Sequence, residues 1–258
     1  MNNLDLTAQA ALLKAGDVSA RELVEASIAR AQALEPKLNA LTTRRFEQAL
    51  VAAENADLET PFAGAPFMHK DLIDVPGFAR SDGAHSALHQ QPGRAPPLIG
   101  ALQKAGLTFL SATNTPEFAS LPVTANQTFG ATANPWDISK TPAGSSGGSA
   151  TAVAAGYVAA AHATDGAGSI RMPSSFCGTF GFKPTRERLL SGEADGTHPL
   201  LKHHHAITRS VRDSAWLFEL TQDRSAQAKY PPLSAQQLSP QNRPLKIGLM
   251  LDNIQQAE

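Results

Sequence analysis

The chain has 258 residues, 42% hydrophobic and 17% charged, with a formal net charge of −1. That length supports one large core or two modest domains, and the near-neutral balance gives no electrostatic reason to expect a nucleic-acid or membrane-surface partner. A single cysteine, Cys177, cannot form an internal disulfide and fits a reducing compartment. The N-terminus, MNNLDLTAQA, lacks the basic and apolar blocks of a signal peptide. The most apolar run, residues 150–161, is short and glycine-interrupted, too weak to span a bilayer. A soluble, cytoplasmic protein is expected.

Taken in order, residues 4–15 alternate Leu and Ala with polar residues at helical spacing and stop at Gly16, a C-cap signal. Ser19 and Glu22 form a capping box, with Val18 placed to staple onto Leu23. Leu23, Ile28 and Leu34 share a face of the helix that follows, and Pro36 is expected to end it. A third helical pattern covers about 43–56. These segments form a helical N-terminal region, about 4–58, in which nothing suggests chemistry.

Residues 64–77, GAPFMHKDLIDVPG, predict a short strand entering a loop. Lys70 lies between apolar neighbours, and burial turns such a lysine into a base by favouring the neutral amine. Read alone, it is a solvated lysine paired with Asp71. Residues 96–106 predict a helix with a glycine stop, and 107–113 a strand. The next stretch, to about 137, is dense in Asn, Thr, Pro and Gly and predicts turns. Ordered loops of that length are more often functional than decorative.

Two glycine-serine turns, 144–149 and 166–169, bracket a segment rich in Ala, Gly and Val and nearly free of charge, which predicts burial. Residues 183–202 predict a mobile loop. His203, His204 and His205 are consecutive, and on a strand their side chains alternate between faces, so they do not chelate one ion. Residues 207–221 predict a helix with Val211, Ala215, Leu217 and Phe218 inward. Residues 223–244 hold four prolines and read as a surface linker. The apolar run at 245–251 predicts a further buried parallel strand. A core strand so near the last residue implies a fold that continues. Strands alternating with helices specify α/β: a mixed, largely parallel central sheet flanked by helices, with the catalytic core over about 62–221.

Ser169 follows Gly166, Ala167 and Gly168 and precedes a segment that can open a helix. At such a turn, free backbone N–H groups can hold an oxyanion. A serine needs a base to become a nucleophile. No G-x-S-x-G elbow surrounds Ser169, and no histidine stands in a triad setting, so a neutral lysine is the candidate. Ser145 can pass a proton, since a hydroxyl both donates and accepts. The bland alternative is a tight turn before a helix, with Ser149 as N-cap. A P-loop is not met, because Ser149 stands where the lysine is required.

The segments GSSGGS at 144–149, TDGAGSIRMP at 164–173 and FCGTFGFKPT at 176–185 resemble the amidase signature family. HKDL at 69–72, TNTPEF at 113–118, FGATANPWD at 129–137 and TRSVRDSA at 208–215 fit the same pattern, so the resemblance covers about residues 5–251. Ser145 and Ser169 stand 24 positions apart, as the family's two serines do. The resemblance implies Ser169 as the acylated nucleophile, Ser145 as a relay after a cis Gly144–Ser145 bond, and Lys70 as general base. It implies that the N–H groups of Gly166, Ala167, Gly168 and Ser169 hold the oxyanion. Asp165 and Arg171 are expected to brace the turn as an ion pair, with Ser146 in support and Cys177 in the core. Ala167 stands where the family has glycine. The chain is shorter than family members, which implies a C-terminally truncated form of the fold. The expected activity is hydrolysis of a small or linear carboxamide, with no cofactor and no metal, and a homodimer is compatible with it. The alternatives are an amidotransferase A-type subunit that releases ammonia from glutamine, and a truncated, non-catalytic member.

Overall fold

The computed structural model describes residues 3–87 and 92–234, with 237, 244 and 246. The chain opens on α1 (Leu6–Ala15), capped by the Asp5 carboxylate on Ala8 N and closed by Gly16 at φ +76. Then comes α2 (Ala20–Leu38), whose capping box between Ser19 and Glu22 forms as expected. Pro36 does not end this helix. A proline in the last turn forfeits one backbone hydrogen bond, and α2 runs on to Leu38, where Asn39 at φ +47 donates its N–H to Glu35 O.

The helix expected from residue 43 starts later. Leu41–Arg44 form strand β1, and α3 spans Phe46–Glu54. The β-branched Thr42 and Thr43 favour the extended chain. Their hydroxyls bond Asp71 Oδ2 (3.0 Å) and Ala79 O (2.9 Å), partners that a helix there would not reach. β2 (Pro66–Lys70), α4 (Pro97–Lys104) and β3 (Thr108–Thr113) follow as predicted, and all five residues of β2 are buried. The asparagine-rich stretch is a loop carrying a small hairpin, β4 (Ala125–Asn126) and β5 (Gly130–Ala131). It holds its shape through side-chain amides. Asn114 donates to Gly130 O and Thr132 Oγ1, and Asn126 donates to Asn114 Oδ1 and Thr115 O.

The central segment becomes α5 (Gly147–Ala154) and β6 (Ala160–Asp165), every residue of β6 buried. Ser146, not Ser149, precedes α5 as its N-cap. Ser149 Oγ instead meets Thr113 Oγ1 at 2.7 Å and donates to His162 O at 2.8 Å, tying helix to sheet. α6 (Arg171–Cys177), β7 (Phe180–Gly181), β8 (His203–Thr208) and α7 (Val211–Thr221) complete the elements. Ile207 and Thr208 belong to β8, so α7 begins later than expected. Val211, expected inward, is 62% exposed at its first position. Leu217 and Phe218 do face inward, with Asp213, whose carboxylate accepts from Leu6 N, Thr7 N and Thr7 Oγ1 and fastens α1. The strand expected at 245–251 falls almost wholly outside the described residues.

Among the described residues the main sheet has six strands in the order β1-β3-β2-β6-β8-β7. Its centre is parallel, β3 with β2 and β2 with β6, and its flanks are antiparallel. The sheet is therefore mixed, with helices packed around it. β2 and β6 end at Lys70 and Asp165, on the same edge. In parallel sheets that carboxyl edge is where ligands bind. No helix among the described residues is long and apolar enough to cross a membrane.

Gly148 shows how tightly α5 is seated. A Cβ there would lie 2.4 Å from Asn114 N, 2.5 Å from Asn114 O and 2.7 Å from Ala40 O, all backbone atoms. Gly148→Ala is expected to destabilise the protein by about 3 kcal/mol, the upper range for overpacking. A urea melt reads this as a lowered midpoint.

Candidate active site

Lys70 is completely buried at the end of β2, and it does not pair with Asp71. Asp71 turns away and accepts from Ser81 N (2.8 Å), Ser81 Oγ (2.5 Å) and Thr42 Oγ1. Lys70 Nζ instead lies 2.7 Å from Ser145 Oγ and 2.9 Å from Thr164 Oγ1. Both partners are hydroxyls, so the ammonium finds no carboxylate to offset its burial. Burial first, and the nearby Lys202 second, hold Lys70 well below the ordinary lysine value, against a smaller opposing pull from Asp165. A neutral amine in this place can donate to Thr164 and accept from Ser145.

Ser145 follows a cis bond to Gly144 and is fully buried. Ser146 couples the two serine turns. Its N–H donates to Ser169 O (3.3 Å), and its hydroxyl donates to Thr164 O (3.2 Å) while accepting from Thr164 N (3.3 Å). These contacts hold Ser145 and Ser169 on the wall of one cleft. The two hydroxyls are not hydrogen-bonded to each other. Ser169 is half-buried, and its hydroxyl makes no hydrogen bond among the described residues.

The 166–169 turn is built on Asp165. Its carboxylate accepts from Gly168 N (2.7 Å) and Ile170 N (3.2 Å) and takes a bidentate pair from Arg171, Nε at 2.9 Å and Nη2 at 3.0 Å. Burial pushes Asp165 up, but Arg171 and these N–H groups outweigh it and keep the carboxyl below its usual value. The Gly168 N–H is therefore taken by the Asp165 carboxylate. Gly168 serves the turn instead, at φ +119, a region that favours glycine. The N–H groups of Gly166, Ala167 and Ser169 have no acceptor among the described residues.

The cleft has a volume of ≈ 440 Å³. Leu72, Phe118, Leu121, Met172 and Leu201 give it apolar walls, and Lys202 is its one charged side chain among the described residues. Phe118 and Ala119 hold φ +51 and +55, which residues with side chains seldom adopt. Such outliers cluster at ligand sites.

The family model described as Amidase matches residues 22–257. The chain belongs to the amidase family. This amidase-family chain is 39% identical over 223 residues to the 6-aminohexanoate-cyclic-dimer hydrolase of Paenarthrobacter ureafaciens, covering 84% of this chain and 45% of that one. It is also 39% identical over 215 residues to the A-type subunit of the glutamyl-tRNA(Gln) amidotransferase from Oleidesulfovibrio alaskensis, covering 81% and 44%. The solved structure of 6-aminohexanoate cyclic dimer hydrolase complexed with substrate superposes with a TM-score of 0.83 at 34% identity, over 93% of this chain and 52% of that one. The chain spans about half the length of the relatives it matches.

The structure thus brings Lys70, Ser145, Ser146, Asp165, Gly166, Ala167, Ser169 and Arg171 of this amidase-family chain to one edge of the sheet. The histidines alternate as expected: His204 stacks on His162, while His205 meets Ser214 Oγ at 2.9 Å. Cys177 is buried, with its thiol pushed up to about 12 by that burial. Sequence reasoning missed Thr164, the second partner of Lys70, and Lys202. Thr164 stood inside a quoted motif without a role. Lys202 carried no signal, since only the pairing of β8 with β6 brings it to the cleft.

Proposed function

We propose that the protein hydrolyses a carboxamide C–N bond through an acyl-enzyme on Ser169, with Lys70 as general base acting through Ser145. The observation that carries this reading is Lys70: a fully buried lysine whose amine, among the described residues, hydrogen-bonds only to hydroxyls, both of them on residues that line the cleft. In the mechanism, neutral Lys70 takes the Ser145 proton as Ser145 takes that of Ser169, once bound substrate closes the gap between the two hydroxyls. Ser169 Oγ attacks the carbonyl carbon. The N–H groups of Gly166, Ala167 and Ser169 stabilise the oxyanion. The proton returns to the leaving amine through the same groups, and water then releases the acid.

The apolar walls favour a neutral amide with an aliphatic chain over glutamine. Glutamine carries an α-carboxylate that Lys202 can meet, but its α-ammonium finds no carboxylate among the described residues of the cleft. The test is ammonia release from hexanamide and from glutamine across pH. Hexanamide is expected to be the better substrate. Its turnover should rise with pH as Lys70 loses its proton, with the rise lying well below the ordinary lysine range. Burial pushes His69 down to about 3 and His204 down to about 4, so neither supplies that limb. Preference for glutamine, or a rate that is flat with pH, would contradict the reading.

A further inference from the structure

Lys202 stands just before β8, at the end of the loop that forms one side of the cleft. The loop presses on the nucleophile turn: a Cβ on Gly166 would lie 2.8 Å from Leu201 O. Lys202 Nζ lies 2.7 Å from Glu193 Oε1 and 3.5 Å from Leu72 O, the carbonyl two residues beyond Lys70. Lys202 lines the cleft itself, and Lys70 meets the same cleft through Ser145 and Thr164, the two lining hydroxyls its amine touches. Their partners differ in kind. Lys202 has a carboxylate, while Lys70 has only Ser145 and Thr164.

Two like charges so placed are not both held cheaply away from water. Of the two, only Lys202 meets a carboxylate among the described residues. A second cation beside a buried lysine is a known means of activating it. We propose that Lys202 is a positioning residue for the amide-cleaving chemistry: anchored on Glu193, it is the charged member of a lysine pair and keeps the amine of Lys70 free to accept a proton. This inference rests on the general-base reading of Lys70 given above. The other charged or titratable groups facing Lys70 do not replace Lys202 in the role. Asp165 pulls the opposite way, and its carboxylate is already engaged by Arg171 and backbone N–H groups. His162 on β6 and His204 on β8 are buried, and that burial holds both below their usual values. His69, next to Lys70, points into a contact with Phe78.

The test is a pH titration of Lys70 by NMR of lysine labelled with ¹³C at Cε, in the full chain, with the resonance assigned by its loss in Lys70→Met. In Lys202→Gln, which keeps a donor for Glu193 but no charge, the Lys70 midpoint is expected to move to higher pH. In Lys202→Arg it should stay near that of the wild type. Hexanamide hydrolysis should fall several-fold at neutral pH in Lys202→Gln and recover at alkaline pH, a pattern that a structural role alone does not give. An unmoved Lys70 midpoint in a folded Lys202→Gln would overturn the proposal. Because the titration needs no turnover, a shifted midpoint in a protein without amidase activity would uphold the lysine pair and sink the functional reading instead.

Discussion

Ser169→Ala is expected to abolish amide hydrolysis, with a loss on the order of 10⁶ in kcat, the scale seen when a serine nucleophile is removed. It should do so without cost to the fold. Ser169 is half-buried and its hydroxyl has no partner among the described residues, so its removal leaves no buried group unpaired. Ser146→Ala is the contrast. Its hydroxyl is buried and bonded to both the carbonyl and the N–H of Thr164, and losing it strands both. That variant is expected to lower the urea midpoint and to leave part of the activity. Steady-state kinetics and denaturation on the same preparations separate the two outcomes. A Ser169→Ala enzyme with more than a trace of turnover would move the nucleophile elsewhere.

Lys70→Met is expected to cost about 10³–10⁴ in kcat/KM, the upper range for loss of a general base, and to change stability relative to wild type in a pH-dependent way, most favourably near neutral pH. The sign follows from linkage. Burial holds Lys70 well below the ordinary lysine value of 10.5 in the fold, so between its native pKa and 10.5 the unfolded chain binds more protons. Lys70 therefore weakens the fold by a constant amount below its native pKa. That penalty shrinks as pH rises between the native value and 10.5, and is gone above it. Methionine fills a similar volume without that penalty but leaves the buried Ser145 and Thr164 hydroxyls without their amine partner, a cost that does not vary with pH. The urea midpoint of Lys70→Met relative to wild type should therefore be highest near neutral pH and fall as pH rises towards 10.5. A difference that stays constant with pH would mean that Lys70 binds its proton equally well in the folded and unfolded chain.

The local signals were legible where one short segment decides the outcome. The capping box at Ser19 and Glu22 and the glycine stop at Gly16 formed as the sequence predicts. The turn-rich composition of 113–137 likewise gave a loop. Errors arose where distant partners outweigh local pattern. Thr43 sits in a helical pattern but is drawn into β1 by β3, and Val211 fits the apolar stripe of α7 but starts the helix on its exposed side. The site follows the same division. Its serine turns announce themselves through glycine and hydroxyl density. Lys70, read by itself, is an ordinary lysine, and its meaning depends on Ser145 and Thr164, which lie 75 and 94 positions away. Gly168 was expected to present its N–H to an oxyanion, and Asp165 claims that group through a bond that no sequence pattern displays.

The most direct test is covalent labelling by a fluorophosphonate, with the modified residue located by peptide mass spectrometry. Wild-type protein should carry the adduct on Ser169, and Lys70→Met should label at a small fraction of the wild-type rate. A folded wild type that stays unlabelled, an adduct on another residue, or a Lys70→Met variant that labels as fast as wild type would contradict a lysine-activated serine.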